Sequence, residues 1–406
     1  MIFTFLTVCF FLQSFTPEVI EHAQAGAAAQ QAGHYDIAIK EFRKVVELQP
    51  NSASGHANLG DACFQNGEYE AAIPELEEAL RLNPKLMGTH QMLGVALLVE
   101  GNATAALPHL EQTHTPELLG LAYLETGKLG SAIMALHAAL ERQPNDPDLL
   151  YYFGRATALA ADKTQRQLST LYPKWAGAKD AERKLRRDVV TLQGELAKTP
   201  NDPELLYDFH EAAALESRKA FDQILERNAG SARAHQVMAE RDVEDQRFGD
   251  AKREYAEALR LKPYTSGVHL AFGNVLASQG DWTAAITQFQ LEAQMRPQDA
   301  AALYRLGSAL LREGQARQAA AAFAQVDKLR PNTPEVLLAL GNASMAASDF
   351  IDAKQSWQKL LTIDQESELA AQAHMGLSTL FRSAGRAAEA DSELAAYQKL
   401  TTQGKH

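Results

Sequence analysis

The chain has 406 residues, 46% of them hydrophobic and only 7% aromatic, and a formal charge of −12. That acidic balance argues against a general nucleic-acid binder, which needs a basic surface to displace counterions from phosphate. Ala, Leu, Glu, Gln and Arg dominate, Val and Ile are sparse and no alternating strand-like run stands out, so the composition points to helix. In chain order, the first stretch is MIFTFLTVCFFLQSF, uncharged and mostly apolar, followed by Pro17 and Glu18. It is shorter than the roughly 20 residues of a membrane span and suits the apolar region of a secretory signal. No Lys or Arg precedes it. Of two small-x-small triplets, Ser14-Phe15-Thr16 would leave Pro17 first, and Ala23-Gln24-Ala25 lies beyond Glu18 and Glu21. Residues 1–16 are therefore expected to be a signal peptide or N-terminal membrane anchor, a possible tether. The protein is then exported (periplasmic, secreted or membrane-anchored), or cytoplasmic if the segment is not a signal. Cys9 lies in this stretch and Cys63 in a helical pattern; the one cysteine of the body can make neither an internal disulfide nor a metal site.

From residue 19 onward the chain repeats. Pro50, Pro84, Pro144, Pro263, Pro297 and Pro331 each close an apolar helical pattern. Twelve residues before each stands Ala38, Ala72, Ala132, Ala251, Ala285 or Ala319, and eight before stands Phe42, Leu76, Leu136, Tyr255, Phe289 or Phe323. Still further upstream lie Gly26, Gly60, Gly120, Gly273 and Gly307, with Ala239 as the exception. Gly33, Gly67, Gly101, Gly127, Gly280 and Gly314 fall where a first helix must stop, since Gly accepts the left-handed cap conformation. Intact neighbours are 34 residues apart, as Pro263, Pro297 and Pro331 are.

This pattern resembles the tetratricopeptide repeat (TPR) family, a helix-turn-helix unit whose signature includes Gly, Ala-x-x-x-Phe and Pro at these spacings. The resemblance covers residues 19–404 and implies an all-α fold, a right-handed TPR-type α-solenoid with an irregular helical insertion in the middle. A lone helical hairpin buries too little to fold, whereas stacked units share one core. The units read as 19–52, 53–86, 87–112 and 113–146, making N-terminal units 1–4 (19–146). A degenerate fifth unit, 147–202, carries the insertion. C-terminal units 6–11 (203–404) read as 203–231, 232–265, 266–299, 300–333, 334–370 and 371–404. Pro108 is expected to clip the second helix of the third unit. The sixth is short, with His210 in place of Gly. The insertion reads as a short helix to Pro173, then an amphipathic helix over 176–198 with Leu185, Val189, Leu192 and Leu196 at helical spacing.

No catalytic constellation appears: no phosphate-cradling Gly loop, G-x-S-x-G, Cys-x-x-Cys or His-Glu-x-x-His. No catalytic, cofactor or metal site is expected, and the chain is not read as an enzyme. His22, His56, His235, His269 and His374 recur at the fourth position of their units, where packing within the helix pair explains them better than a metal does. Arg183, Lys184, Arg186 and Arg187 form a charge run offset by Asp180, Glu182 and Asp188, which reads as a solvated face.

The resemblance further implies that the first helix of each unit lines a concave groove able to hold a peptide. Carried onto this sequence, the groove residues are Met92, Val95, Leu98, Val99, Leu118, Leu121 and Leu124, then Tyr151, Tyr152, Arg155, Leu159, Tyr207 and Leu215. Apolar, aromatic and Arg side chains of this kind make binding hot spots; alternatively, the irregular fifth unit folds onto this surface and uses it as core. Farther along, Asn274, Tyr304, Arg305, Ser308, Arg312, Asn342 and Arg382 make a more polar, basic stretch suited to an acidic segment or a terminal carboxylate. The Lys and Asn clamp with which some relatives grip a C-terminal carboxylate is not reproduced, since Ala23 and Ala27 occupy its first-unit positions. The expected function is a non-enzymatic protein-protein interaction scaffold, binding peptide segments of partner proteins in assembly of a cell-envelope or secretion complex. The alternative is a regulatory or substrate-recruiting subunit of an enzyme complex such as a glycosyltransferase or peptidase system.

Overall fold

The structure, a computed structural model, describes residues 16–173 and 188–403. Among these residues there are helices and no strands. They fall into two compact units, divided between Lys128 and Leu129, each an all-α solenoid of helix pairs.

The N-terminal unit contains α1 (Pro17–Gln31), α2 (Tyr35–Leu48), α3 (Ala53–Gln65), α4 (Tyr69–Leu82), α5 (Met87–Val99), α6 (Ala103–Thr113) and α7 (Pro116–Glu125). Starts are marked by local chemistry. The hydroxyls of Thr16 and Ser52 accept from backbone amides of the first turns of α1 and α3. Pro17 and Pro116 occupy first-turn positions that need no amide hydrogen. Pro50 and Pro84 stand just beyond the ends of α2 and α4, as the repeat pattern predicts. Pro108 does not clip its helix. It lies inside α6, which runs on to Thr113 and stops at His114 in a left-handed conformation.

Packing within a pair follows from absent side chains. A Cβ on Gly26 would stand 2.7 Å from the Phe42 ring, one on Gly60 2.7 Å from Leu76, and one on Gly94 2.5 Å from Leu110. Only Gly admits those large side chains so close to the first helix. Phe42, Leu76 and Leu110 are fully buried in one continuous core with Leu59 and Leu93, each contributing roughly 1.5–3 kcal/mol by area removed from water.

The second unit contains α8 (Leu129–Arg142), α9 (Pro147–Leu171), α10 (Val189–Leu196), α11 (Pro203–Arg227), α12 (Ala232–Glu244), α13 (Phe248–Leu261) and α14 (Val268–Ser278). It continues with α15 (Trp282–Met295), α16 (Ala300–Arg312), α17 (Ala316–Leu329), α18 (Pro334–Ala346), α19 (Phe350–Ile363), α20 (Glu368–Ser383) and α21 (Ala387–Gln403). The Gly rule continues here: Phe289 fills the space at Gly273, Phe323 that at Gly307, and Trp357 those at both Gly341 and Gly376.

The middle departs from expectation. No short helix ends at Pro173; α9 runs unbroken for 25 residues from Pro147. Its partner is α11, also 25 residues long, and the sixth unit does not form a helix pair of its own. Where most other first helices stop at a left-handed Gly, and α12 and α18 at left-handed Gln246 and Ser348, α9 has the buried helix former Ala161, and no Gly or Pro interrupts either long helix after its first turns. The spatial rule nevertheless holds across the insertion, because Phe221 of α11 packs at 2.8 Å from where a Gly154 Cβ would be. Of the amphipathic helix expected over 176–198, α10 covers Val189–Leu196, capped by the Asp188 carboxylate. Residues 174–187, including Leu185 and the Arg183 to Arg187 charge run, lie outside the described residues. So does the N-terminal segment up to residue 15. Among the described residues no helix is long and apolar enough to cross a membrane.

Candidate functional site: the first-helix face

In both units the first helices of neighbouring pairs touch one another directly: α3 meets α5, α14 meets α16, α16 meets α18, and α18 meets α20. They therefore share a face, and the predicted groove residues can be followed along it.

In the N-terminal unit, Met92, Val95, Val99, Leu118, Leu121 and Leu124 are half-buried. Met92, Leu118 and Leu121 lean on the core and keep part of their surface open. Leu98 departs from expectation: it is buried among core residues and offers little to a ligand. A helix residue one step off the groove axis turns into the pair instead.

In the second unit, Tyr151 is also interior, only 5% exposed. The reason is Arg233 of α12, itself 3% exposed. Its guanidinium lies 4.4 Å from the Tyr151 ring centre and 4.8 Å from that of Tyr152. Arg233 Nε donates to Asp148 at 2.6 Å, and another nitrogen donates to the Tyr152 hydroxyl at 2.7 Å. The Tyr151 hydroxyl donates to Glu240 at 2.6 Å and accepts from the Gln236 amide. Lys262 completes the cluster, donating to Asp148 at 2.8 Å. Burial together with the neighbouring Glu240 holds the Tyr151 phenol well above its usual pKa. Tyr151 is therefore core and not groove wall, buried by α12 and not by the fifth unit folding back. Arg155 and Leu159 remain exposed, while Tyr207 and Leu215 on α11 are half-buried.

Farther along, Asn274, Arg305, Arg312, Asn342 and Arg382 are exposed, and Tyr304 and Ser308 half-buried. Tyr304 meets Phe323 edge-on at 5.3 Å, and Ser308 donates to the Tyr304 carbonyl at 2.8 Å. Arg312 lies 5.9 Å from the Trp282 ring, and Arg382 pairs with Asp391 at 3.4 Å. Among the described residues neither Arg305 nor Arg312 has an acidic partner. Asn342 lines a pocket of about 390 Å³ with Met345, Gln372, Met375 and Thr379, all from α18 and α20. Its floor is Trp357, whose indole N–H is buried without a hydrogen-bond partner. No charged group lines this pocket.

Sequence reasoning missed Trp357 and its surroundings because Gln365 replaces the Pro on which the repeats were aligned. The Gly341 to Trp357 spacing, the same as Gly307 to Phe323, is the signal that would have found it.

The periodic histidines have a shared role. His22 contacts Glu41 at 2.7 Å, His56 Glu75 at 2.6 Å, His235 Glu254 at 2.7 Å and His374 Glu393 at 2.5 Å. His269 contacts Gln288 at 2.7 Å, and His90 contacts His109 at 2.9 Å. Each ties the first helix of a pair to the second. The other ring nitrogen of His56, His90 and His269 meets the carbonyl of Pro50, Pro84 and Pro263, just beyond the end of the preceding pair. Burial, then His90, lowers the His109 pKa. Among the described residues no three metal-ligating side chains converge.

Comparison with known proteins agrees with this geometry. A family model described as tetratricopeptide repeat matches residues 24–86, 118–167, 237–300 and 270–334. Similar solved structures include MamA from Desulfovibrio magneticus RS-1, 22% identical, covering 42% of this chain and 96% of that one with a TM-score of 0.39. YrrB, described as a TPR protein with an unusual peptide-binding site, is 18% identical over 45% of this chain and 92% of its own, with a TM-score of 0.41. Yeast Tom70 is 13% identical over 94% of this chain and 92% of its own, with a TM-score of 0.33. No curated protein matches the sequence.

Proposed function

Because the chain belongs to the tetratricopeptide repeat family, we propose that it is a non-enzymatic interaction scaffold that binds peptide segments of partner proteins on its first-helix face. The observation that carries this reading is the run from Arg305 and Arg312 to the uncharged pocket at Asn342. Two guanidiniums without acidic partners lie on the same face as an uncharged cavity lined by Trp357. A partner segment with an acidic stretch followed by an apolar side chain would meet complementary groups in that order. The helices that present them are already packed, so little ordering opposes binding on this side. Half-buried Met92, Val95 and Val99 of α5 and Leu118, Leu121 and Leu124 of α7 offer a second, apolar contact area in the N-terminal unit.

The apolar residues 1–15 favour export, and with it a role in assembly of a cell-envelope or secretion complex. Recruitment of substrates to a glycosyltransferase or peptidase is the other use of the same surface. The test is photocrosslinking in native cells from a benzoylphenylalanine at position 342, comparing the otherwise unchanged chain with Arg305→Glu plus Arg312→Glu. Defined partners captured in the first and lost in the second are expected; the same partners at the same level in both would overturn the reading. Fractionation decides export, and full-length chain confined to the cytosol would defeat it.

A further inference from the structure

Among the described residues, six histidines tie the first helix of a pair to the second, each to a residue 19 positions on. In four of these ties the partner is a glutamate, and in one it is Gln288. Only the α5–α6 pair sets one imidazole against another, His90 against His109. Their Nδ1 atoms are 2.9 Å apart and the ring centres 5.2 Å apart, so the rings meet end-on, nitrogen to nitrogen.

That geometry dictates where the protons stand. His90 Nε2 lies 3.1 Å from the Pro84 carbonyl, which only accepts, so this nitrogen carries the hydrogen. In the neutral ring its Nδ1 is then bare and accepts from the Nδ1–H of His109. One added proton leaves the bond intact, because His109 takes it at Nε2. A second proton has no such place. Both Nδ1 atoms would then carry hydrogens aimed at each other, and two cations would stand in contact. The other ties respond differently. A proton on His22, His56, His235 or His374 faces a carboxylate, and the contact becomes an ion pair. At His269 the partner atom is Gln288 Oε1, which accepts from a protonated ring.

Nothing packed on the two rings offsets a double charge. Apart from His90, α5 has no ionisable group, and α6 adds to His109 only Glu111, which accepts from the Tyr123 hydroxyl of α7 at 2.9 Å. The preceding pair has Glu78 within the field of its histidine, His56; at the same spacing from His90 stands uncharged Gln112. On α4, Glu75 is held by His56 and Glu78 by Arg81, beside Glu70, Glu77 and Tyr69. On α3, Asp61 bonds to Gln30 and Gln65, and Cys63 is buried. Glu117 and Glu125 lie on α7, and Lys85, Glu100 and His114 flank the pair. None of these groups acts on His109, whose pKa is lowered first by burial and then by His90.

We propose that the His90–His109 contact is an acid-sensitive joint, at which uptake of a second proton drives the rings apart and loosens α5 from α6 while the other pairs stay tied. A histidine whose pKa falls on folding stabilises the fold fully above its ordinary value of 6.5, and that contribution is lost as the pH drops through the lowered value. His90 stands in the first turn of α5, so opening starts where the chain enters the pair. Met92 and Val95 of the apolar contact area lie on the same helix, but the joint does not depend on what that face binds.

The test is hydrogen exchange read by mass spectrometry on the full chain at about pH 7.5 and about pH 5, corrected for the intrinsic exchange rate at each pH. Peptides from α5 and α6 should lose protection about tenfold or more on acidification, and those from α3 and α4, tied by His56 and Glu75, less than about threefold. His109→Glu gives the pair the tie of its neighbours and should remove the acid response of α5 and α6. His90→Gln, whose amide serves as donor or acceptor, should remove it too, and keeps the test decisive if His109→Glu does not fold. Equal protection of α5 and α6 at the two pH values in the unaltered chain would overturn the proposal. So would an equal loss in α3 and α4, which would mean a general loosening by acid, or an acid response that survives in either folded variant.

Discussion

The guanidinium of Arg233 lies 4.4 Å from the ring centre of Tyr151, on a helix that begins sixty residues after the tyrosine's own helix ends. That one contact turns a residue expected on a groove wall into part of the interior. It also makes Arg233 the hub of a buried cluster, since Asp148, Tyr152 and Gln236 all hydrogen-bond to it. Arg233→Met keeps much of the volume and removes the charge. It should lower unfolding stability by about 3 kcal/mol, the low end for breaking a buried pair because Asp148 retains Lys262. Chemical denaturation checks this, and adding Asp148→Asn should recover part of the loss.

Acid should act on the same cluster. Burial by itself raises the Asp148 carboxyl, but Arg233 and Lys262 outweigh it and hold its pKa below the ordinary 3.8. Such a group stabilises the fold fully above its unfolded pKa, and the contribution is lost as the pH falls through the folded value. The melting temperature of the unaltered chain should therefore fall more steeply below about pH 4 than that of Asp148→Asn. Glu292 works in the opposite sense. Burial raises its pKa, although it accepts from the amides of Gly267 and Leu270 at the start of α14. Its ionisation costs stability as the pH rises through that raised value, so Glu292→Gln should flatten the decline on that side.

The histidine ties should be measurable one pair at a time. His56→Ala strands Glu75 and the Pro50 carbonyl, and should cost about 1–2 kcal/mol. In a double-mutant cycle with Glu75→Ala, a coupling of about 0.5–1 kcal/mol is expected. Strict additivity would mean that the pair does not hold α3 to α4.

Glycine substitutions should split by environment. Gly60→Ala would put a Cβ 2.7 Å from Leu76 and should destabilise by roughly 1–3 kcal/mol through overpacking. Gly88→Ala meets nothing within 4 Å and should stabilise by roughly 0.5–1 kcal/mol. Gln246 stands at φ 60° where most other pairs have a left-handed Gly, so Gln246→Gly should gain about 1 kcal/mol. Thermal melts of the three variants give the order directly.

Cys63 should be unreactive in the folded chain. It is buried, and desolvation together with Glu68 pushes its thiol up to about 11. Alkylation requires the thiolate, so in a Cys9→Ser background iodoacetamide should label the native chain about 100-fold more slowly than the urea-unfolded one. Equal rates would mean that the α3 to α4 core opens freely.

Much of the architecture was legible before any coordinates. Gly60 and Leu76, or Gly307 and Phe323, are local pairs within one unit, and their spacing alone states that one side chain must enter the space the other leaves. The turns at Gly33, Gly67, Gly280 and Gly314 were readable for the same reason, since a left-handed cap is a property of a few consecutive residues. The histidines were seen as periodic, but their partners Glu41, Glu75 and Glu254 were not, although each stands 19 residues after its histidine.

What the amino-acid order determined by itself was the repeated helix pair and its core, because those contacts lie within a few turns of each other along the chain. Tertiary structure decided the rest. Only folding brings Phe221 to Gly154, Arg233 to Tyr151, and Met375 to Asn342 above the Trp357 indole. These groups are remote in sequence, and whether a side chain faces a groove or fills one depends on which distant helix arrives beside it.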